Sequence, residues 1–160
     1  NSNKDIFTAE IANDNSDGQI VLSGNNTDLD KISNFLKEKK VKNVKLPVSA
    51  PFHCKLMNKA TEIMKREIEK TEFNESKIKL ISNVTANEIS NKEELKKLLV
   101  YQIENRVRWR ESIINMINTG VNHFIEIGPG KVLSGLVKRI DRKVKINSIN
   151  SEGDIKDLRL

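Results

Sequence analysis

Cysteine, histidine and aromatic residues are scarce in this chain of 160 residues: one cysteine, two histidines, and rings at 4% of positions. Each scarcity removes a class of function. A lone Cys54 closes no internal disulfide, which suits a reducing compartment. Two histidines and one cysteine, with no close His/Asp/Glu spacing, provide no metal-ligand set. So few rings leave little on which single-stranded nucleic acid could stack, so nucleic acid is not an expected partner. No run of about 18 apolar residues occurs and no basic-then-apolar segment opens the sequence, so neither a membrane span nor a signal peptide is expected. The cytoplasm is the expected compartment, or an organelle if a transit peptide has been trimmed. A G-x-S-x-G nucleophile elbow is also missing.

What is present is a basic, moderately apolar chain. Its hydrophobic fraction of 37% and its length fit one moderate domain, or a small one leaning on a larger one. The net charge of +6 is unevenly spread. Lys131, Lys138, Arg139, Arg142, Lys143 and Lys145 face only Asp141, and Lys37, Lys39, Lys40, Lys42 and Lys45 are tempered by Glu38. Such patches fit the phosphates of a cofactor, an acidic protein or nucleic acid, and equally well the solvated helix faces of a Lys-rich protein.

Periodicity predicts strands at 7–12 and 19–23 around a turn-rich 13–18, and a helix capped by Thr27 with Leu29, Ile32, Phe35 and Leu36 on one face. A strand at 41–48 completes strand, strand, helix, strand, most of a ferredoxin-like unit without its opening strand and helix. After His53 a helix of about 18 residues keeps Leu56, Ala60, Ile63, Met64 and Ile68 on one face. "IKLIS" at 78–82 reads as a strand covered on both sides. Helices at 92–104 and 109–119, a strand at 123–127, a helix at 131–141 and a strand at 144–149 complete an α/β pattern with a parallel sheet.

Four features are candidates for chemistry. His53 stands in "VSAPFHCKLM", on the hinge between a strand and a helix, and histidine trades protons near neutral pH. Its local nucleophile candidates are poor. Cys54 projects in a different direction, Ser49 lacks an elbow, and Ser134 lies inside a helix. Spacing alone therefore favours a structural histidine over a base. Gln102 continues the apolar stripe of Leu95, Leu98 and Leu99, where an inward glutamine either stitches loops or serves a site. "GPGK" at 128–131 ends a strand and opens a helix, so it is a tight turn or an anion cradle. Glu126 and His123 point to opposite faces of one strand and are not expected to be partners.

Five ordered blocks add a resemblance. "NDNSDGQIVLSG" (13–24), "LPVSAPFHCKLM" (46–57), "SNV" (82–84), "YQIENRVRW" (101–109) and "EIGPGKVLSGLVKRI" (126–140) resemble the C-terminal half of bacterial-type malonyl-CoA:acyl carrier protein transacylases. The resemblance runs from about residue 7 to 150. It implies an α/β-hydrolase-like large domain with an inserted ferredoxin-like small domain. Residues 1–48 would be part of the small domain and residues 49–160 the C-terminal part of the large one.

The implied reaction moves a malonyl group from malonyl-CoA to a serine, then to the phosphopantetheine thiol of acyl carrier protein, with no metal or redox cofactor. His53 would be the base, and Gln102 would orient it through its backbone carbonyl. Asn15 would bind substrate and Phe52 would narrow the acyl pocket. Lys138 and Arg139 would receive the carrier protein. The family's G-H-S-x-G serine, its oxyanion glutamine and its malonyl-binding arginine have no counterpart here, and Arg106 does not inherit the last role. The fragment alone is expected to be inactive, and a monomer is expected. The rivals are a polyketide-type acyltransferase or hydrolase of the same architecture, and a noncatalytic module binding carrier proteins or nucleic acid.

Overall fold

The computed structural model describes residues 8–158, so Phe7, where the first expected strand begins, lies outside the described residues. Strands β1 (Glu10–Ser16) and β2 (Gln19–Ser23) lead to helix α1 (Asn26–Glu38). A short 3-10 turn (Lys55–Met57) then runs into α2 (Asn58–Lys70), followed by α3 (Lys92–Tyr101) and α4 (Trp109–Asn118). The chain closes with β3 (His123–Ile127), α5 (Val132–Ile140), β4 (Lys145–Ile149) and α6 (Glu152–Lys156).

β1 and β2 form an antiparallel hairpin closed by Asp17 and Gly18, with Gly18 at φ +73. The expected turn at 13–18 is therefore shortened, and Asn13 to Ser16 are strand. Composition argued against a strand there, but tertiary bonds override it. Asp14 N–H donates to the Val107 carbonyl at 2.9 Å, and Val107 N–H donates to the Ala12 carbonyl at 2.8 Å. The Asp14 carboxylate, buried on the same face as Ala12 and Ser16, receives Arg110 Nε at 3.1 Å and Nη2 at 3.0 Å. Arg110 also pairs with Asp17 at 2.6 Å, so one guanidinium from α4 grips both ends of the strand tip.

β3, α5 and β4 make a parallel β-α-β unit, with His123 opposite Lys145 and Ile127 opposite Ile149. Leu136 and Val137 of α5, Ile113 of α4 and Ala12 of β1 are buried in the core. Helix starts carry side-chain caps: Asn25 for α1, Asn91 for α3 and Ser151 for α6. The α1 cap falls two residues before the expected Thr27, because Asn25 Oδ1 accepts the Asp28 amide at 2.8 Å.

Two expected strands do not form. Residues 41–48 form no ladder, Val44 is 74% exposed, and the described residues bring no neighbouring strand alongside. In 78–82 only Ile81 makes a bridge, to Glu88, and Ile78 is 77% exposed rather than covered on both sides. Backbone pairing needs a partner that an apolar run does not itself supply. The long helix after His53 splits into the 3-10 turn and α2, where Thr61 and Ile68 are buried while Ile63 and Met64 stay exposed.

Ile113→Ala should lower the free energy of unfolding by about 3 kcal/mol through the cavity it leaves. Ile127→Ala, at a residue 79% exposed, should change it by less than about 0.5 kcal/mol, both read from urea unfolding curves.

Candidate active site around His53

The segment 48–57 turns sharply. Phe52 N–H donates to the Ala50 carbonyl at 3.0 Å, and His53 adopts φ +59, the left-handed region that side-chain-bearing residues avoid. Cys54 returns to extended backbone and is almost fully buried, with its thiol donating to the Pro51 carbonyl at 3.1 Å. That burial removes Cys54 as a nucleophile and anchors the turn. His53 is left half-buried beside an exposed Phe52.

The decisive contact lies across the chain. His53 Nδ1 stands 2.8 Å from the main-chain carbonyl of Gln102. A carbonyl only accepts, so Nδ1 carries the proton and Nε2 of the neutral ring keeps its lone pair. The carbonyl is available because α3 ends at Tyr101, and the last carbonyls of a helix have no intrahelical partner. Asn105 takes the Tyr101 carbonyl through its amide at 3.1 Å and its side chain at 2.7 Å, leaving the next carbonyl for the imidazole. The helix expected over 92–104 is thus shorter, and residue 102 meets His53 through its backbone at a helix end.

β1 borders both partners. Glu10 Oε1 accepts the Lys55 amide at 3.0 Å, two residues past His53, and Val107, five past Gln102, is bonded to β1. Asn15 lies on β1 where the register shifts between Asp14 and Ser16, a bulge rather than the expected turn. Among the described residues no hydrogen bond joins Asn15, Phe52, Lys138 or Arg139 to His53. Lys138 and Arg139 are exposed on α5, and Arg139 donates to Gln19 Oε1 of β2. Arg106 pairs with Glu111 at 3.5 Å.

No family profile matches the chain. It is 41% identical over 142 residues to the malonyl CoA-acyl carrier protein transacylase of Bacillus subtilis, covering 88% of this chain and 45% of that protein. The crystal structure of the malonyl CoA-acyl carrier protein transacylase from Clostridium perfringens superposes with TM-score 0.90 at 38% identity, over 96% of this chain and 49% of that one. A type II PKS acyl-carrier protein in complex with its malonyl-transacylase matches at TM-score 0.88 and 31% identity, over 94% of this chain and 49% of that one. The chain belongs to the malonyl-CoA:acyl carrier protein transacylase family. It spans about half the length of the curated relatives it matches.

In this transacylase-family chain the GPGK stretch is a tight turn, not an anion cradle. Gly128 and Gly130 sit at φ +137 and +93, and their amides donate to the Ile149 carbonyl at 3.0 Å and to Asn150 Oδ1 at 2.6 Å. Glu126 fills the start of α5, accepting the amides of Leu133 at 3.0 Å and Ser134 at 2.7 Å. Burial alone would raise the Glu126 pKa. The Ser134 hydroxyl and the amides of Ser134, Leu133 and Val132 outweigh that and hold the carboxyl below the usual glutamate range. His123, on the other face, bonds Asn147 Oδ1 at 2.8 Å and is structural.

Sequence reasoning missed three groups: Glu10, Arg110 with Asp14, and Arg108. Arg108 donates to Glu111 at 2.6 Å and, through Nη1, to the Thr85 carbonyl at 3.0 Å, while its amide holds the Asn83 carbonyl at 2.8 Å. The three-residue Arg108–Glu111 spacing was a usable helical signal. The other pairings span 45 and 96 residues and carry none.

Because the acceptor is main chain, Gln102→Ala should keep the His53 Nδ1 proton in place, seen as an unchanged ring-nitrogen pattern by 15N NMR. Glu126 has a lowered folded-state pKa, so its contribution to stability is fully present above the ordinary value of 4.5 and is lost as pH falls through the folded value. Acid unfolding of Glu126→Gln should therefore show a shallower loss of stability over that range than wild type.

Proposed function

We propose that this chain carries the base side of an active site that transfers malonyl from malonyl-CoA to acyl carrier protein, as in fatty acid synthesis. The observation that carries the reading is the bond from His53 Nδ1 to the Gln102 carbonyl, which leaves Nε2 free to accept a proton. The activities for which the relatives are named support the same reading. The nucleophilic serine is drawn from polypeptide outside these 160 residues, so the chain alone is expected to be inactive. Residues 1–48 belong, in this proposal, to a ferredoxin-like small domain inserted in an α/β-hydrolase-like large domain, whose C-terminal part is 49–160. The protein acts as a monomer in the cytoplasm.

The steps follow from one imidazole. As the serine oxygen attacks the malonyl thioester, its proton moves to His53 Nε2. The tetrahedral adduct collapses, the carbon–sulfur bond breaks, and the same proton goes to the departing coenzyme A thiol. The pantetheine thiol of the carrier protein then gives its proton to Nε2 and attacks the seryl ester, and the released serine takes the proton back. A carbonyl behind the ring fixes the tautomer, as the triad carboxylate does, without that group's full charge. No step calls for a metal or redox cofactor.

Asn15 hydrogen-bonds substrate, and Phe52 narrows the pocket against a branched acyl group, an effect worth about 1–3 kcal/mol per methyl. Lys138 and Arg139 receive the acidic carrier protein.

The test joins the chain to the complementary half and follows malonyl transfer to holo acyl carrier protein. His53→Ala should lower kcat by at least about 100-fold; unchanged turnover would leave only a binding module. Lys138→Glu should raise KM for the carrier protein and flatten its dependence on salt, with KM for malonyl-CoA unaltered.

A further inference from the structure

His53 needs its strained backbone held on both sides. On the near side the Phe52 amide closes onto the Ala50 carbonyl, and the buried Cys54 thiol holds the Pro51 carbonyl. On the far side the restraint comes from 45 residues away: Glu10 Oε1 takes the Lys55 amide at 3.0 Å. That amide opens the 3-10 turn and would otherwise be one of the unpaired donors at a helix start. Glu10 is the first residue of β1, and β1 is bonded through Ala12 and Asp14 to Val107, beyond Gln102. One strand therefore holds the base's segment at one point and the acceptor's loop at another. β1 thus bridges the segments on which His53 and the Gln102 carbonyl stand.

We propose that Glu10 is a positioning residue for His53: by holding the Lys55 amide, its carboxylate keeps the imidazole at the rotation where Nδ1 meets the Gln102 carbonyl. Glu10 touches no reacting group. Its consequence for turnover rests on the reading of His53 as the base, whereas its effect on the ring does not.

The experiment reads the ring first. In the 15N-labelled chain, above the pH at which the imidazoles are neutral, wild-type His53 should show one protonated nitrogen, Nδ1. Glu10→Ala should move both His53 ring nitrogens toward the averaged values of mixed tautomers. His123, bonded to Asn147, should not change, which separates a local effect from loosened folding. Glu10→Gln keeps an acceptor of the same length and should restore the wild-type pattern. Glu10→Asp keeps the charge but falls a methylene short, so it should behave like Glu10→Ala and serves if that variant folds poorly.

A wild-type His53 pattern in both Glu10→Ala and Glu10→Asp overturns the proposal, as does failure of Glu10→Gln to restore it. In the complete enzyme, Glu10→Asp should lower kcat by about tenfold with KM for malonyl-CoA unchanged. A shifted tautomer with undiminished kcat would uphold the positioning and sink the base reading instead.

Discussion

An imidazole N–H given to the free carbonyl at the end of a helix is the contact on which the other features of this chain converge. It requires α3 to stop at Tyr101, since one more helical turn would engage the Gln102 carbonyl in an intrahelical bond. Asn91 fixes where that helix starts, and Asn105 consumes the carbonyl before the one His53 needs. The arrangement also frees the glutamine side chain from the orienting task, because the peptide group does the accepting.

β1 turns that single bond into a stable geometry. It is an edge to β2 on one side and a partner to Val107 on the other, and Arg110 secures its tip through Asp14 and Asp17. The Asp14 carboxylate is buried, and burial of a charge is tolerated because a two-pronged guanidinium meets it. The pairing raises the Arg110 pKa above its ordinary value, chiefly through the hydrogen bonds it donates to Asp14, so the guanidinium stays charged. The bulge at Asn15 is held between two gripped residues, which gives a strand irregularity a fixed position.

Much of this was legible. "QIVLS" and "HFIEI" are short apolar runs flanked by turn residues, and they are the strands β2 and β3 to the residue. The helix and strand after GPG were also legible, because a strand-turn-helix-strand pattern in so short a span leaves little choice but a parallel β-α-β unit. His53 and Gln102 were legible as a pair only through resemblance, since a backbone acceptor leaves no side-chain pattern. Failures came where a local rule depended on something distant. Residues 41–48 have strand composition but no partner strand among the described residues, 78–82 find only a single bridge at Ile81, and the amides of α5 that an anion might have used are occupied by Glu126. In "GNNTD", Asn25 and Thr27 both suit a cap, and the bond to the Asp28 amide decides for Asn25.

The two-stranded sheet of β3 and β4 has a further consequence. These strands pair only with each other among the described residues, and Ile127, at the end of β3, is 79% exposed. Rows of unsatisfied amides and carbonyls beside oily side chains are templates for any strand that drifts past. A cell making this polypeptide without something to cover that border would face self-association that worsens with concentration, which ties the chain's production to whatever shields that edge.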